Sequence, residues 1–161
     1  LVIDCYIFNF DPTTGFESLS KANRHQLCNY LNSLTNLKQL RNDFVRLDAI
    51  AVERLEPTLA RLESFSSDID SPETASALSS LLGPDCEKLQ LYICPSDSHC
   101  FPHLDAGLLE HLTDLELSLC DYYLEINSCE SFRHFCEHAF DLQGLIINFN
   151  PDFEFKVSRK L

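Results

Sequence analysis

The chain carries a recurring pattern of apolar and polar positions that predicts a series of short, similar strands. The pattern is an apolar residue, two others, a second apolar residue, one other, a third apolar residue, two others, and then Cys, Asn or an apolar residue. The three clear copies are Cys86, Leu89, Leu91 and Cys94; Leu112, Leu115, Leu117 and Cys120; and Leu142, Leu145, Ile147 and Asn150. The weaker copies are Leu59, Leu62 and Ser64; Leu37, Leu40 and Asn42; and Val2, Cys5, Ile7 and Phe10.

The spacing of these copies indicates a repeat. The second apolar residue recurs at positions 40, 62, 89, 115 and 145, in steps of 22, 27, 26 and 30 residues. Successive side chains of a strand point to opposite faces, so two apolar residues separated by one residue share a face. We therefore expect the second and third apolar positions to enter a core and the residues between them to face outward.

The segments between the strands have the spacing and the caps of helices. A helix near 72–82 is bracketed by Ser71-Pro72 and Gly83-Pro84, and a short one is expected around Leu108 and Leu109. Two apolar helical stripes precede the helix near 72–82, and Pro57 ends the second of them. A last helix begins after the cap residue Asn127. The two earlier stripes are Leu27, Tyr30, Leu31 and Leu34; and Leu47, Ile50, Ala51 and Leu55; the stripe of the last helix is Phe132, Phe135, Cys136, Ala139 and Phe140.

A short strand–helix unit cannot bury its own apolar face and must stack on copies of itself. The fold class predicted is α/β, a solenoid shaped as a horseshoe with a parallel concave sheet and convex helices. Residues 1–161 are expected to form a single domain of about five to six irregular repeats. Because the chain begins with Leu1 and contains no Met, we expect a fragment of a longer chain. A generic α/β domain that contains three such strands by chance is the alternative.

The pattern resembles that of the leucine-rich-repeat superfamily over roughly residues 37–150. The copies beginning at Cys86 and Leu112 resemble its cysteine-containing subtype, found in ribonuclease-inhibitor-like proteins and in the substrate-binding parts of F-box ubiquitin-ligase subunits. Ser64 and Asn42 depart from the pattern, since leucine is expected there, and the chain has no F-box sequence. The resemblance implies a protein-interaction module, in one form the substrate-binding part of a ubiquitin-ligase adaptor.

Composition and charge narrow the partners. Hydrophobic residues make up 45% of the chain, and no apolar run approaches the roughly 20 residues of a membrane span. The formal net charge is −13, with −1 in residues 1–65 and −12 in residues 66–161. Such a field repels phosphate, which argues against nucleic acid and membrane and favours a protein partner with a basic surface. Acidity that serves only solubility is the alternative.

The eight cysteines bear on the compartment. An even number suits a secreted disulfide framework, but a chain of 161 residues does not need one, and no N-glycosylation sequence is present. Several cysteines occupy positions where the repeat requires a small buried group, which free cysteine provides. We therefore expect a reducing compartment, cytoplasmic or nuclear.

Candidate chemistry is sparse. Two groups have zinc-ligand residue types with spacings that no common zinc motif uses: Cys94, His99 and Cys100; and His134, Cys136 and His138. No strand-to-helix glycine motif frames a nucleophile, and the four glycines are isolated. We therefore expect no catalytic residue, no metal and no cofactor, with a zinc- or cysteine-dependent enzyme as the alternative.

The residues that alternate with the leucines are the candidate binding surface. Aromatic and charged side chains among them are typical of interface anchors. Tyr6 and the neighbouring Phe8 suit an interface or a covering cap equally. The alternative function is a structural subunit of a larger complex whose open solenoid ends are capped by partner chains. The candidate residues are Tyr6, Arg41, Arg61, Glu63, Phe65, Lys88, Gln90, Tyr92, Asp114, Glu116, Ile146 and Asn148.

The end of the chain bears on the same alternative. Phe153, Phe155 and Val157 alternate like a closing or unfinished strand. Because a solenoid needs polar caps to remain soluble, these aromatic residues and the missing start favour the structural subunit over a free-standing module.

Overall fold

A single β-sheet organises the described part of the molecule. The computed structural model describes residues 2–4, 21–93, 101–119, 130–139, 141–150 and 153–158. In these residues the strands lie side by side in the order of the chain, and helices connect successive strands up to the sixth. In chain order the elements are β1 (Val2–Asp4), α1 (Lys21–Ser33), β2 (Gln39–Leu47), α2 (Ala49–Arg54), α3 (Glu56–Leu59), β3 (Ser64–Ile69), α4 (Pro72–Leu81), β4 (Lys88–Ile93), α5 (Ala106–Leu109), β5 (Asp114–Leu119), α6 (Glu130–His138), β6 (Gly144–Asn150) and β7 (Phe153–Ser158).

The sheet is parallel from β1 to β6, and β7 runs antiparallel along β6. The predicted α/β class with a parallel sheet is therefore confirmed. One apolar position of every strand from β2 to β6 lies in register with its neighbours, so a continuous apolar row crosses the sheet. The row is Leu40, Phe65, Leu89, Leu115 and Leu145.

The central strands alternate as their sequence predicts. In β4, Leu89, Leu91 and Ile93 are buried, while Lys88 and the residues that alternate with them are exposed. In β5, Leu115, Leu117 and Leu119 are at most 2% exposed. The leucine side chains therefore form the core between the sheet and the helices, as the pattern requires.

The residue that opens the copy is buried in the turn before β2, β3, β4 and β5, whereas Leu142, before β6, is partly buried. Leu37, Leu62, Cys86 and Leu112 all have an exposure of 0%. The backbone of each turn bonds to the previous one: the Glu87 N–H donates to the Glu63 carbonyl at 3.0 Å, and the Thr113 N–H to the Glu87 carbonyl at 2.8 Å. The lateral contact between units therefore begins before the strands themselves.

The copy assigned to β3 is wrong by three residues. The sequence placed Leu59, Leu62 and Ser64 in the pattern, but Leu59 lies in α3 and Leu62 takes the first apolar position. The core-facing residues of β3 are Phe65, Ser67 and Ile69. With Phe65 as the second apolar position of β3, these positions follow one another at steps of 25, 24, 26 and 30 residues. These steps are more even than those taken from the sequence.

A buried polar pair explains the error in β3. Ser67 occupies a position where leucine is expected and is only 4% exposed. The side-chain amide of Asn42, in register with it on β2, donates to Ser67 Oγ at 2.8 Å. A buried hydroxyl is tolerated when it is hydrogen-bonded, so the serine takes the place of an apolar residue.

The copy assigned to the first strand is displaced by two residues. Ile3 lies in register with Leu40, where the sequence placed Cys5. Cys5, Ile7 and Phe10 lie outside the described residues, as do Cys94 and Cys120 at the ends of later copies.

The helix caps were predicted well. The Oγ of Ser71 accepts the Thr74 N–H at 3.1 Å, Pro72 begins α4, and the helix ends at Leu81. In α5, Asp105 Oδ1 accepts the Leu108 N–H at 3.2 Å. Within the described residues, every helix is too short or too polar to cross a lipid bilayer.

Other helix predictions need correction. The second helix ends at Arg54, and Pro57 lies in the first turn of the next helix, α3, a position that suits proline. Leu47, expected in the second helix, belongs to β2. Tyr30 and Ile50, expected in apolar stripes, are 59% and 58% exposed. In α6, Phe135 is buried as expected, but Cys136 is exposed, since only part of the stripe meets the core. Asn127 and Phe140 lie outside the described residues.

Gly83 is required by a close backbone approach. A Cβ at this position would lie 2.1 Å from the Ala60 carbonyl oxygen, inside van der Waals contact. The Gly83 N–H also faces the Leu59 carbonyl at 3.4 Å. The glycine that stops α4 therefore also allows this turn to pack on the previous one.

The division between core and outer positions predicts that adjacent substitutions change the free energy of unfolding by very different amounts. Leu115→Ala should lower the free energy of unfolding by about 2–5 kcal/mol and Phe65→Ala by about 3–5 kcal/mol, because each leaves a cavity in the core. The neighbouring Glu116→Ala and Ser66→Ala should change it by about 0.5 kcal/mol or less. Urea unfolding measures all four, and equal losses within a pair would contradict the assignment of faces.

Candidate functional site: the open face of the sheet

The face of the sheet that points away from the core is the candidate site, called here the open face. Its side chains form three rows that cross the strands at right angles. The first row is Gln39, Ser64, Lys88, Asp114 and Gly144; the second is Arg41, Ser66, Gln90, Glu116 and Ile146; the third is Asp68, Tyr92, Ser118 and Asn148.

Lateral contacts between neighbouring strands fix part of this surface. In the first row, Lys88 Nζ lies 3.4 Å from Asp114 Oδ2. In the second, Ser66 Oγ donates to Gln90 Oε1 at 3.0 Å. In the third, Asn148 Nδ2 donates to Ser118 Oγ at 3.1 Å. Side chains ordered in this way need little further ordering when a ligand binds.

Tyr92 projects from the middle of the third row. Its side chain is 48% exposed, which is unusual for an aromatic residue on a central strand. An aromatic ring presents a large contact area with few rotatable bonds, so tyrosine is common at binding surfaces. Tyr92 is therefore the best candidate for an anchor on the open face.

A depression of about 310 Å³ lies in the first two rows, across β3 to β6. Lys88 and Gln90 line it on β4, Asp114 and Glu116 on β5, and Ile146 on β6. The Asp114 carboxylate leans over Gly144, where a Cβ would lie 2.7 Å from Asp114 Oδ1. The depression therefore combines an ion pair, a carboxylate and an apolar side chain.

Glu116 differs from the other polar residues of the depression. It is partly buried and lies between Gln90 and Ile146 in the second row. Among the described residues its carboxylate makes no hydrogen bond or ion pair, whereas Asp114 is bonded to Lys88 and to the Thr113 hydroxyl. Among the charged residues that line the depression, Glu116 is thus the one without a hydrogen bond or an ion pair to the described part of the chain.

Most of the predicted site residues lie together on the open face. Those that the register places there are Arg41, Lys88, Gln90, Tyr92, Asp114, Glu116, Ile146 and Asn148. Tyr6 lies outside the described residues. The displaced register of β3 hid three outer-face residues from the sequence, Ser64, Ser66 and Asp68. Leu62 gave the one signal that could have corrected it, since it also suits the first apolar position.

Phe65 and Glu63 were placed wrongly. Phe65 is 1% exposed and stands in the apolar row of the core, so it cannot present its side chain to a partner. Glu63 precedes β3 and its carboxylate lies 3.2 Å from Lys38 Nζ at the edge of the sheet. Both errors follow from the three-residue displacement of that copy.

Arg61 is also absent from the open face, because its guanidinium holds two helices together. Nη2 donates to the Leu31 carbonyl at 3.0 Å and to the Leu34 carbonyl at 3.1 Å, at the C-terminal end of α1. Nη1 bonds to the carbonyl of Pro57 in α3. Cations are favourable at helix C-termini, where carbonyls lack intrahelical partners. Arg61 is therefore a structural residue.

The thiols that the structure describes are free. Cys28 and Cys86 are buried, at 2% and 0% exposure. Burial raises the pKa of the Cys86 thiol to about 11. Its Sγ donates to the Lys88 carbonyl at 3.6 Å. Burial also raises the pKa of Cys28, and burial followed by the charge of Glu137 raises that of Cys136. All three are protonated at neutral pH and are weak nucleophiles in that form.

Three histidines cluster where α6 meets the segment before α5. The ring centroids of His103 and His134 lie 4.3 Å apart, and those of His134 and His138 lie 4.6 Å apart. His134 Nε2 bonds to the Leu104 carbonyl at 3.1 Å, and His138 Nδ1 lies 3.5 Å from Glu110 Oε1. In the part of the chain that is described, no three ligand-type side chains are placed to hold a metal ion. The candidate group formed by Cys94, His99 and Cys100 lies outside that part.

The thiol environments predict a sharp difference in reactivity. Iodoacetamide at pH 8.5 should modify exposed Cys136 at least about tenfold faster than Cys86, which must wait for the protein to open. Peptide-resolved mass spectrometry measures both rates, and denatured protein is the control in which they should converge. Equal native rates at Cys86 and Cys136 would contradict the burial of Cys86.

The burial of Cys86 also makes stability depend on pH. Because the pKa of this thiol is higher in the folded protein than in the unfolded one, its contribution to stability is complete below about pH 9 and is lost as the pH rises towards 11.

Comparison with known proteins adds no relative. No protein-family model, curated protein or solved structure gives a significant match to this chain. The resemblance to leucine-rich repeats therefore depends on the residue pattern, and the function must be argued from the geometry of the open face.

Proposed function

We propose that the chain is a protein-interaction module that binds a protein partner through the open face of a leucine-rich-repeat solenoid. The observation that carries the proposal is the open face itself, where exposed Tyr92 stands beside laterally fixed polar side chains and a depression. Aromatic anchors surrounded by ordered polar groups are the usual composition of a protein-binding surface.

The dimensions of the two layers support a horseshoe. Adjacent strands lie about 4.8 Å apart, whereas packed helices need about 8–10 Å between their axes. Successive units here place helical segments over a sheet whose strands follow chain order. Such a stack relieves the mismatch by curving with the sheet inside, which makes the open face the concave one.

The role of a substrate-binding part in a ubiquitin-ligase adaptor is a special form of this function. The resemblance of the copies ending at Cys94 and Cys120 to the cysteine-containing subtype suggests it, although both cysteines lie outside the described residues. The same binding surface would serve it.

Two tyrosines provide a matched test. Tyr92→Ala should weaken binding of partner proteins by about 1 kcal/mol or more, which is about fivefold, because it removes an anchor. Tyr30→Ala removes a ring of similar exposure (59% against 48%) from α1, away from the open face, and should leave binding unchanged. Pull-down from cell extract followed by titration of the retained proteins measures the difference. Binding that is lost equally in both variants, or in neither, would count against the open face.

A further inference from the structure

The uncompensated charge on the open face indicates what the partner must bring to it. Glu116 is partly buried in the second row, and no described residue offers its carboxylate a hydrogen bond or a cation. The neighbouring cation, Lys88, is already paired with Asp114 at 3.4 Å. A carboxylate that loses water on binding is costly unless the ligand supplies a positive group.

The surroundings of Glu116 favour a long side chain with an apolar stem. Ile146 lies next to Glu116 in the second row and lines the same depression. On the other side, Gln90 Oε1 accepts the Ser66 hydroxyl, so the amide is held in place. The volume of about 310 Å³ is about ten times the ~30 Å³ that a water molecule occupies, enough for one extended side chain.

We propose that the partner protein inserts an arginine into this depression, with its guanidinium on the Glu116 carboxylate and its methylene stem on Ile146. The inference rests on the proposed function and specifies the chemistry of the partner. Arginine fits better than lysine because its planar guanidinium donates two parallel hydrogen bonds to a carboxylate. Its stem covers apolar surface while the charged head stays with its partner.

The charges in the depression agree with this assignment. Among the residues that line the depression, Lys88 and Asp114 compensate each other, which leaves the negative charge of Glu116. The nearest further cation in this row of the register is Lys156 of β7, which pairs with Ile146. An inserted arginine would make the set neutral, whereas an acidic side chain of the partner would be repelled.

Selection from a library of random twelve-residue peptides displayed on yeast tests the proposal. Wild-type protein should enrich peptides with an arginine next to an apolar residue, and that enrichment should disappear with Glu116→Gln, which keeps the shape but removes the charge. Glu116→Lys should instead favour acidic peptides. Glu56→Gln neutralises an exposed carboxylate of α3 and should enrich the same peptides as wild type.

A coupling measurement isolates the contact. Fluorescence polarisation compares an enriched peptide with the same peptide carrying citrulline, the neutral isostere of arginine. Wild type should bind the arginine peptide at least about tenfold more tightly, and Glu116→Gln should abolish that preference while leaving the citrulline peptide unchanged. Ile146→Ala should weaken both peptides. A preference for arginine that persists in Glu116→Gln would overturn the inference.

The outcomes separate the inference from the function on which it rests. Peptides that need Tyr92 but contain no basic residue would overturn the arginine contact and leave the binding surface intact. Enrichment that is indifferent to both Tyr92→Ala and Glu116→Gln, or no enrichment at all, would count against both. Self-association of the purified protein that Glu116→Gln abolishes, seen by sedimentation, would identify a second copy as the occupant and overturn the proposed partner.

Discussion

The molecule depends on side-by-side contact between apolar side chains of neighbouring parallel strands. No single unit can remove its own leucines from water, and Leu89 is buried in a core that includes Phe65 and Leu115, which lie in register on either side of it. The backbone bonds between successive turns, such as that from Glu87 to Glu63, hold the same lateral spacing before each strand starts. Stability and surface are therefore linked, because the register that buries the leucines also sets out the rows of the open face.

How much could be predicted from the sequence varied along the chain. β4, β5 and β6 follow the leucine pattern, and Ser71 and Pro72 announced α4, because these signals are local. β3 was missed because Ser67 stands at a core position where its hydroxyl accepts a hydrogen bond from Asn42 on another strand, and no local window of sequence contains that pairing. Arg61 looked like an interface residue for the same reason, since its acceptors Leu31 and Leu34 lie 30 and 27 residues earlier.

The sequence was enough to predict on which face of the sheet a site residue lies, but not whether its charge is paired. Alternation was enough to put Tyr92 and Glu116 on the outer side of their strands. It could not show that Lys88 is committed to Asp114 while Glu116 has no such partner among the described residues. A charge is available to a ligand when no side chain on a neighbouring strand pairs with it. Which side chains are neighbours depends on the register of the strands, and the sequence of one strand does not contain that register.

The polar pair between β2 and β3 has a consequence for assembly. Leucine packs against many neighbours with similar energy, so a purely aliphatic stack discriminates poorly between correct and shifted pairings. In the observed alignment the Asn42 amide donates to the Ser67 hydroxyl, and a slipped strand would take this partner from a partly buried donor. An unsatisfied donor costs up to about 1–3 kcal/mol when it is fully buried. Ser67, which obscures the repeat in the sequence, thus favours the observed pairing of β3 with β2.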